Sequence, residues 1–438
     1  MSESDLRVQA AFDRTYIPAD CVVDRYIMVS ITADAQGALE FRSGPLNIAL
    51  AIDASGSMTG DKLEAAKSAA LELADNMTAE DILSVVSFET DVRVRVDGLK
   101  LAPANRHEVR RQVQSITARA MTNLSGGWFA AVDCAARVSE EFPEYSERTI
   151  ILSDGRANQG IRDRDQLALH AAELCEHGVT TSAMGIGNGY DEFLLNLISE
   201  AGGGRLHDAE FPSEVSGVLL GELAEIQVSA AEGLVITVTG DRDVEIEPLG
   251  RSSAVRGKGS VSVSIGALPA GGSRRLVFRV TCPPSADGTV LPFKVSGSYR
   301  PIGDHEKGEL PETALELLAV GRELNDGQIV NHDVADAAAE AWSTHTVQVA
   351  TQLNHARKFA EASHYVRSQR EAFAHYASKH VPAAMEHLED FDALIPHVSR
   401  EISARNKKEM MLQSRLVAES RRDWRGAGKT SWRSRLND

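Results

Sequence analysis

The run Leu46-Asn47-Ile48-Ala49-Leu50-Ala51-Ile52 leads without a break into Asp53-Ala54-Ser55-Gly56-Ser57-Met58. A nearly continuous apolar run of this length suits a strand buried on both faces of a parallel sheet, because a half-exposed strand would alternate apolar and polar positions. Working outward, Ile82–Phe88 and the runs at 149–152 and 179–186 share that texture. Amphipathic stretches separate them, at Asp61–Asn76, Leu124–Glu141 and 165–177. Strands of this kind alternating with helices predict a doubly wound, Rossmann-like α/β domain over residues 45–226.

The flanks read differently. Between 228 and 300 the runs at 234–239, 261–265, 276–281 and 293–299 are strand-length, several alternate, and Gly, Pro and Asp bound them. That pattern predicts antiparallel strands. The segments 7–12 and 21–31 have the same texture, so residues 1–44 and 227–320 are expected to form one β-sandwich with the α/β domain inserted in it. From about Leu324 the periodicity becomes helical and Ala-rich, which predicts an α-helical region over 321–399 and a basic tail over 400–438.

Composition narrows the function. The chain has 438 residues, more than a single core organises, and 63 Asp and Glu against 46 Lys and Arg give a formal charge of −17. Such a balance speaks against nucleic acid as the main ligand. The tail opposes it, with eleven Lys and Arg against five Asp and Glu over 400–438, a net of +6. The first residues, MSESDLRVQAAF, carry neither a basic n-region nor an apolar h-region, and no apolar run reaches membrane-span length. Cys21, Cys134, Cys175 and Cys282 are dispersed, with no CxxC pair. Isolated thiols and no signal point to a cytoplasmic protein.

The chemistry-bearing residues sit where ligands collect in doubly wound sheets, at the carboxyl ends of strands. Asp53, Ser55 and Ser57 follow the first strand, Ser153-Asp154-Gly155 follows the run at 149–152, and Thr122 lies in a polar turn before a helix. Carboxylate and hydroxyl oxygens are hard ligands. They suit Mg²⁺, with Mn²⁺ or Ca²⁺ as alternatives, better than zinc, which favours His and Cys. The plainer account has Asp53 capping the next helix and the serines filling a turn.

Asp53-x-Ser55-x-Ser57, Thr122 and Asp154, in this order and spacing, resemble the metal-ion-dependent adhesion site (MIDAS) of von Willebrand factor type A domains. The resemblance covers residues 46 to 225. It implies that the serines and the threonine bind a divalent metal, that the aspartates bind it directly or through water, and that a protein partner supplies an Asp or Glu carboxylate as the last ligand. The expected role is that of a non-enzymatic binding module. The family's frequent Gly-Gly before Thr-Asn is Ala120-Met121 here, which stiffens that turn. More loosely, the whole layout resembles bacterial intracellular proteins of this class, which often accompany AAA+ ATPases or kinase and phosphatase systems in stress response. A regulatory scaffold with a purely structural metal is the alternative, and a metal-dependent hydrolase a third.

Other features carry less. Gly426-Ala427-Gly428-Lys429-Thr430 lacks the leading Gly of a phosphate loop, because Asp423 stands there, and no buried strand precedes it. Gly185-Ile186-Gly187-Asn188-Gly189 reads as a turn into the next helix. Eight of the 13 histidines fall between His332 and His397, without the helical spacing of a metal pair. No GxSxG elbow occurs, and no general base is identifiable. In the tail, Trp424 and Trp432 lie among Arg421, Arg422, Arg425, Arg433 and Arg435, with Thr430, Ser431 and Ser434 nearby. This reads either as a flexible, solvated end or, by its composition, as an interaction segment that phosphorylation can weaken.

Overall fold

A computed structural model describes residues 6–418 except 35–43, 120, 143, 156, 228, 251–253, 302–306 and 382–383. Three strands open the chain: β1 (Leu6–Phe12), β2 (Tyr16–Pro18) and β3 (Val23–Ala33). The α/β domain follows as β4 (Leu46–Asp53), α1 (Asp61–Asn76), β5 (Ile82–Phe88), β6 (Val92–Lys100), α2 (Arg106–Gln114) and α3 (Leu124–Glu141). It continues with β7 (Ser146–Ser153), α4 (Arg164–Glu176), β8 (Thr180–Ile186), α5 (Glu192–Ala201), β9 (Gly203–Ala209) and α6 (Val215–Ile226). Next come β10 (Ser229–Thr239), β11 (Glu245–Leu249), β12 (Val255–Gly257), β13 (Ser260–Pro269), β14 (Ser273–Cys282), β15 (Val290–Pro301) and β16 (Gly308–Val320). Helices close the described chain: α7 (Arg322–Asp326), α8 (His332–His355), α9 (Phe359–His380), α10 (Ala384–Val398) and α11 (Ala404–Ala418).

The central sheet has the order β6-β5-β4-β7-β8-β9, with only β6 antiparallel. Its strand β4 explains the opening run of apolar residues. Leu46, Ile48, Leu50 and Ile52 enter the core shared with α1 and α6, whereas Ala49 and Ala51 face α3. The small side chains let α3 approach closely. At Gly127 of that helix a Cβ would lie 2.2 Å from the Phe88 ring, so no larger residue fits. From β4 the chain moves outward to β5 and β6, then returns across β4 to β7. The switch in direction therefore lies between the carboxyl ends of β4 and β7, where a crevice opens in such sheets.

The remaining strands form a four-stranded sheet, β1-β3-β14-β11, and a six-stranded one, β12-β13-β10-β15-β16-β2. Both flanks of the α/β domain contribute to each. β3 pairs with β14 over its whole length, and β2 pairs with β16. The two sheets share one core, in which Val29, Ile31 and Phe278 meet Ile236, Val263 and Val295. At the junction with the α/β domain, Arg148 and Glu232 form a buried ion pair at 3.0 Å. Arg300 donates to the Gly178 carbonyl at 2.6 Å.

The helices cover the outer face of the four-stranded sheet, where Tyr26 packs against Trp342 and Tyr376 at ring distances of 5.7 and 4.8 Å. Helix α8 begins at an Asn331 cap, whose side chain accepts from Val334 N–H. Pro396 sits near the end of α10 rather than beyond it. One expectation needs correcting: the first part of the supposed basic tail is the helix α11. Its Lys407 and Lys408 are buried and its Arg405 is paired, so positive charge there serves docking onto the acidic body. The Trp and Arg residues of 421–435, and the Gly-Lys-Thr at 428–430, lie outside the described residues. All four cysteines are free thiols, with only Cys21 exposed. Among the described residues no helix is long and apolar enough to cross a membrane.

Candidate metal site

The five oxygen-bearing residues reach one place by three routes. Asp53 ends β4, and Ser55 and Ser57 occupy the turn that follows it. Asp154 follows β7, which is hydrogen-bonded alongside β4. Thr122 arrives on the loop before α3, and the backbone fastens that loop on both sides. Ala54 N–H donates to the Phe88 carbonyl at 2.7 Å and Arg119 N–H donates to the Ala54 carbonyl at 2.7 Å. Thr122 N–H donates to Asn158 Oδ1 at 2.8 Å. In return the Thr122 carbonyl accepts from Asn158 and Gln159 N–H, both at 3.2 Å. The Asn123 side chain caps α3 by accepting from Gly126 N–H at 3.1 Å.

Gly155 marks the point of convergence. A Cβ placed on it would lie 3.4 Å from Ser57 Oγ, 3.4 Å from Thr122 Oγ1 and 3.6 Å from Asp53 Oδ2. Three oxygens from two separate chain segments thus face one spot, on a third, that only a missing side chain leaves open. Asp53, Ser55, Thr122 and Asp154 are buried, while Ser57 is exposed at the rim. The set is internally bonded. Ser55 N–H donates to Asp53 Oδ1 at 2.8 Å and Ser153 Oγ donates to Asp53 Oδ2 at 2.6 Å. Ser57 Oγ donates to Asp154 Oδ1 at 2.7 Å, and the two hydroxyls of Ser55 and Ser57 lie 3.0 Å apart. Lys62, in the first turn of α1, places its ammonium on Asp154 Oδ2.

Burial raises the Asp53 carboxyl, hydrogen bonds from Ser153 and Ser55 oppose the shift, and the nearby Asp154 charge adds to it. Two carboxylates this close and this dry favour a cation between them. The donors are all oxygen, and among the described residues no group of three His, Cys, Asp or Glu is able to hold a metal. A cation at this spot must therefore rely on the hydroxyls, which suits a hard divalent ion.

All five residues singled out in the sequence meet here. The capping account of Asp53 is half right: it accepts from Ser55 N–H as a turn residue does, but the residue capping α1 is Gly60. Ala120 lies outside the described residues, and its neighbour Met121 is half exposed. Sequence reasoning missed Lys62, Ser153 and Asn158. Only Ser153 had a signal, being the residue just before Asp154 on a buried strand. Lys62 looks like any solvated lysine of an amphipathic helix.

Residues 47–216 match the model of the von Willebrand factor type A domain. Inter-alpha-trypsin inhibitor heavy chain H3 of Rattus norvegicus is 34% identical over 161 residues, covering 36% of this chain and 18% of that protein. A protein of Synechocystis is 27% identical over 190 residues, covering 43% of each chain. The chain thus spans about a fifth of the length of the heavy chains it matches. Among solved structures, a von Willebrand factor type A protein from Catenulispora acidiphila superposes with a TM-score of 0.65 at 17% identity, over 94% of this chain and 96% of that one. The ArnB paralog VWA2 from Sulfolobus acidocaldarius gives 0.60 at 16% identity, over 94% and 99%. The chain carries a von Willebrand factor type A domain, and the fold likeness extends well beyond it.

Proposed function

We propose that the A domain is a non-enzymatic binding module, which recognises an acidic side chain of a protein partner through a divalent cation. Asp53, Ser55, Ser57, Thr122 and Asp154 would hold the cation, with Mg²⁺ the first choice on ligand chemistry. The observation that carries this is the meeting of Ser57, Thr122 and Asp53 oxygens around Gly155. A cation there supplies an open coordination position for an incoming carboxylate. The residues of this chain do the rest. The buried aspartates supply negative charge, the hydroxyls supply neutral oxygens, and exposed Ser57 leaves the rim open to a partner.

Supporting a binding role over a catalytic one, the carboxylates are engaged by Ser55, Ser57, Ser153 and Lys62, which leaves neither poised as a base. The test is an affinity capture with Mg²⁺ against EDTA, using the full chain and Asp53→Ala as control. A partner released by EDTA from the wild type and never held by Asp53→Ala supports the proposal. The same eluate will tell whether that partner is an AAA+ ATPase or a kinase. A partner retained by both proteins in EDTA would place recognition elsewhere.

A further inference from the structure

Among the described residues, Lys62 is the one cationic group hydrogen-bonded to the five residues, and its position has a consequence for what the site accepts. Its ammonium lies on Asp154 Oδ2 and within 3.4 Å of the Ser57 carbonyl. The Lys62 side chain is one-third exposed and that of Asp154 is fully buried, so the pair forms at the rim and screens the aspartate from solvent. Behind it, Lys62 Cε lies 3.4 Å from where a Cβ on Gly187 would stand, and the absence of that Cβ leaves room for the lysine stem. Glu89, whose backbone carbonyl accepts from Asn123 N–H on the loop that carries Thr122, faces Arg93 at 3.9 Å, which offsets its charge.

The charges then sum simply. Of the described groups, two aspartates and one lysine give the metal-free site a charge of −1. A divalent ion brings it to +1, and one carboxylate from outside restores neutrality. Without Lys62 the loaded site would already be neutral, and a further carboxylate would be tolerated rather than attracted. We infer that Lys62 is a specificity residue: its fixed positive charge weakens the bare metal but makes the loaded site select an anionic side chain over a neutral one. This rests on the metal reading given above and adds what that reading lacks, a reason for the carboxylate to be preferred.

The test uses the full-length protein with Mn²⁺ as the metal, acetate as the anionic probe and acetamide as the neutral one. Free Mn²⁺ is read by electron paramagnetic resonance, and probe binding by Mn²⁺-induced broadening of the methyl proton signal. Lys62→Met should bind Mn²⁺ about tenfold more tightly than wild type, since a like charge a few ångströms away is removed. Its loaded form should lose several-fold in acetate affinity, with acetamide unchanged. Lys62→Arg keeps the charge and should retain the wild-type preference. Acetate binding by loaded Lys62→Met at the wild-type level, or Mn²⁺ binding weakened by that change, overturns the inference while leaving the metal site intact. Mn²⁺ binding that survives Asp53→Ala unchanged overturns the metal reading, and this inference with it.

Discussion

The ammonium of Lys408 donates to the carbonyl of Gly187 at 3.1 Å and stands 3.6 Å over the ring of Tyr190. This contact joins the last described helix, α11, to the loop that leaves β8 beside the metal site. Tyr190 in turn donates to Asp208 at 2.6 Å, and Arg405 pairs with Asp208 and Glu210 at 3.1 and 2.9 Å. The loop at 187–190 is thus held by α11 on one side and touches Lys62 on the other.

Lys408→Met should cost about 1–3 kcal/mol, because the Gly187 carbonyl loses its donor and the Tyr190 face its cation in a buried place. Thermal unfolding measures the loss, and amide exchange at 187–190 should quicken. An unchanged melting temperature would mean the ammonium contributes nothing to docking.

At the metal site, Gly155→Ala is the selective change. The added methyl would sit within 3.4 Å of Ser57 Oγ and Thr122 Oγ1, close enough to crowd the cation but not the fold. Calorimetry should find one divalent ion per wild-type chain, weaker binding in Thr122→Ala, and none in Asp53→Ala or Gly155→Ala. All three variants should keep cooperative unfolding without metal. Wild-type affinity in Gly155→Ala would move the cation away from this spot.

The parts that were legible in the sequence share a cause. β4, β5, β7 and β8 are fully buried, so each carries an apolar run that stands out, even though β7 opens on Ser-Glu-Arg-Thr and β8 on Thr-Thr-Ser. The edges hide. β6 is half exposed, with Arg93, Arg95 and Asp97 among its valines, and β9 reads Gly-Gly-Arg-Leu-His-Asp-Ala. α11 was missed because its lysines and arginine look solvated. Their burial depends on Asp208, Glu210, Gly187 and Tyr190, some 200 residues earlier in the chain. The five metal-site residues were legible because their spacing is local to three strand and helix ends. The Lys62 contact depends on tertiary placement alone.

Helix α6 carries a pH signature. Burial pushes the Glu222 carboxyl up, but the His207 ring, the Ser182 hydroxyl and Arg205 outweigh it and hold it well below the usual carboxylate range. His207 Nε2 lies 2.8 Å from one oxygen and Ser182 Oγ donates to the other at 2.7 Å. A lowered carboxyl stabilises the fold above the unfolded glutamate value and loses that contribution as pH falls through the folded one. Glu222→Gln should therefore be less stable than wild type near neutral pH, by about 3 kcal/mol. The two proteins should converge in acid. Equal urea midpoints for the two proteins at pH 7 would rule the pairing out as a source of stability.

The same helix is placed to sense the site. α1 starts with Asp61 and Lys62, and its Leu63, Ala66, Ala70 and Leu73 share a core with Leu219, Leu223 and Ile226 of α6. A shift of Lys62 on metal or partner binding would press on that core. Amide exchange over residues 212–228 should differ between the EDTA-treated protein and the Mg²⁺-loaded, partner-bound one. Identical protection in both states would leave α6 a static prop.

The C-terminal segment divides into two parts that should respond differently to truncation. Ending the chain after Ser403 removes α11, and with it the contacts of Arg405 and Lys408, so the melting temperature should fall and exchange at 187–190 should rise. Ending it after Ser420 spares α11 and removes six Lys and Arg together with Trp424 and Trp432. Tryptophan and arginine side by side anchor interfaces, and exposed tryptophan is costly unless covered. The shorter cut should therefore leave the melting temperature where it is and strip partners from a capture at physiological salt. Phosphomimetic Asp at Thr430, Ser431 and Ser434 should weaken the same partners by reducing the local positive charge. If the protein ending at Ser420 retains its partners at both low and physiological salt, the last residues are a solvated end.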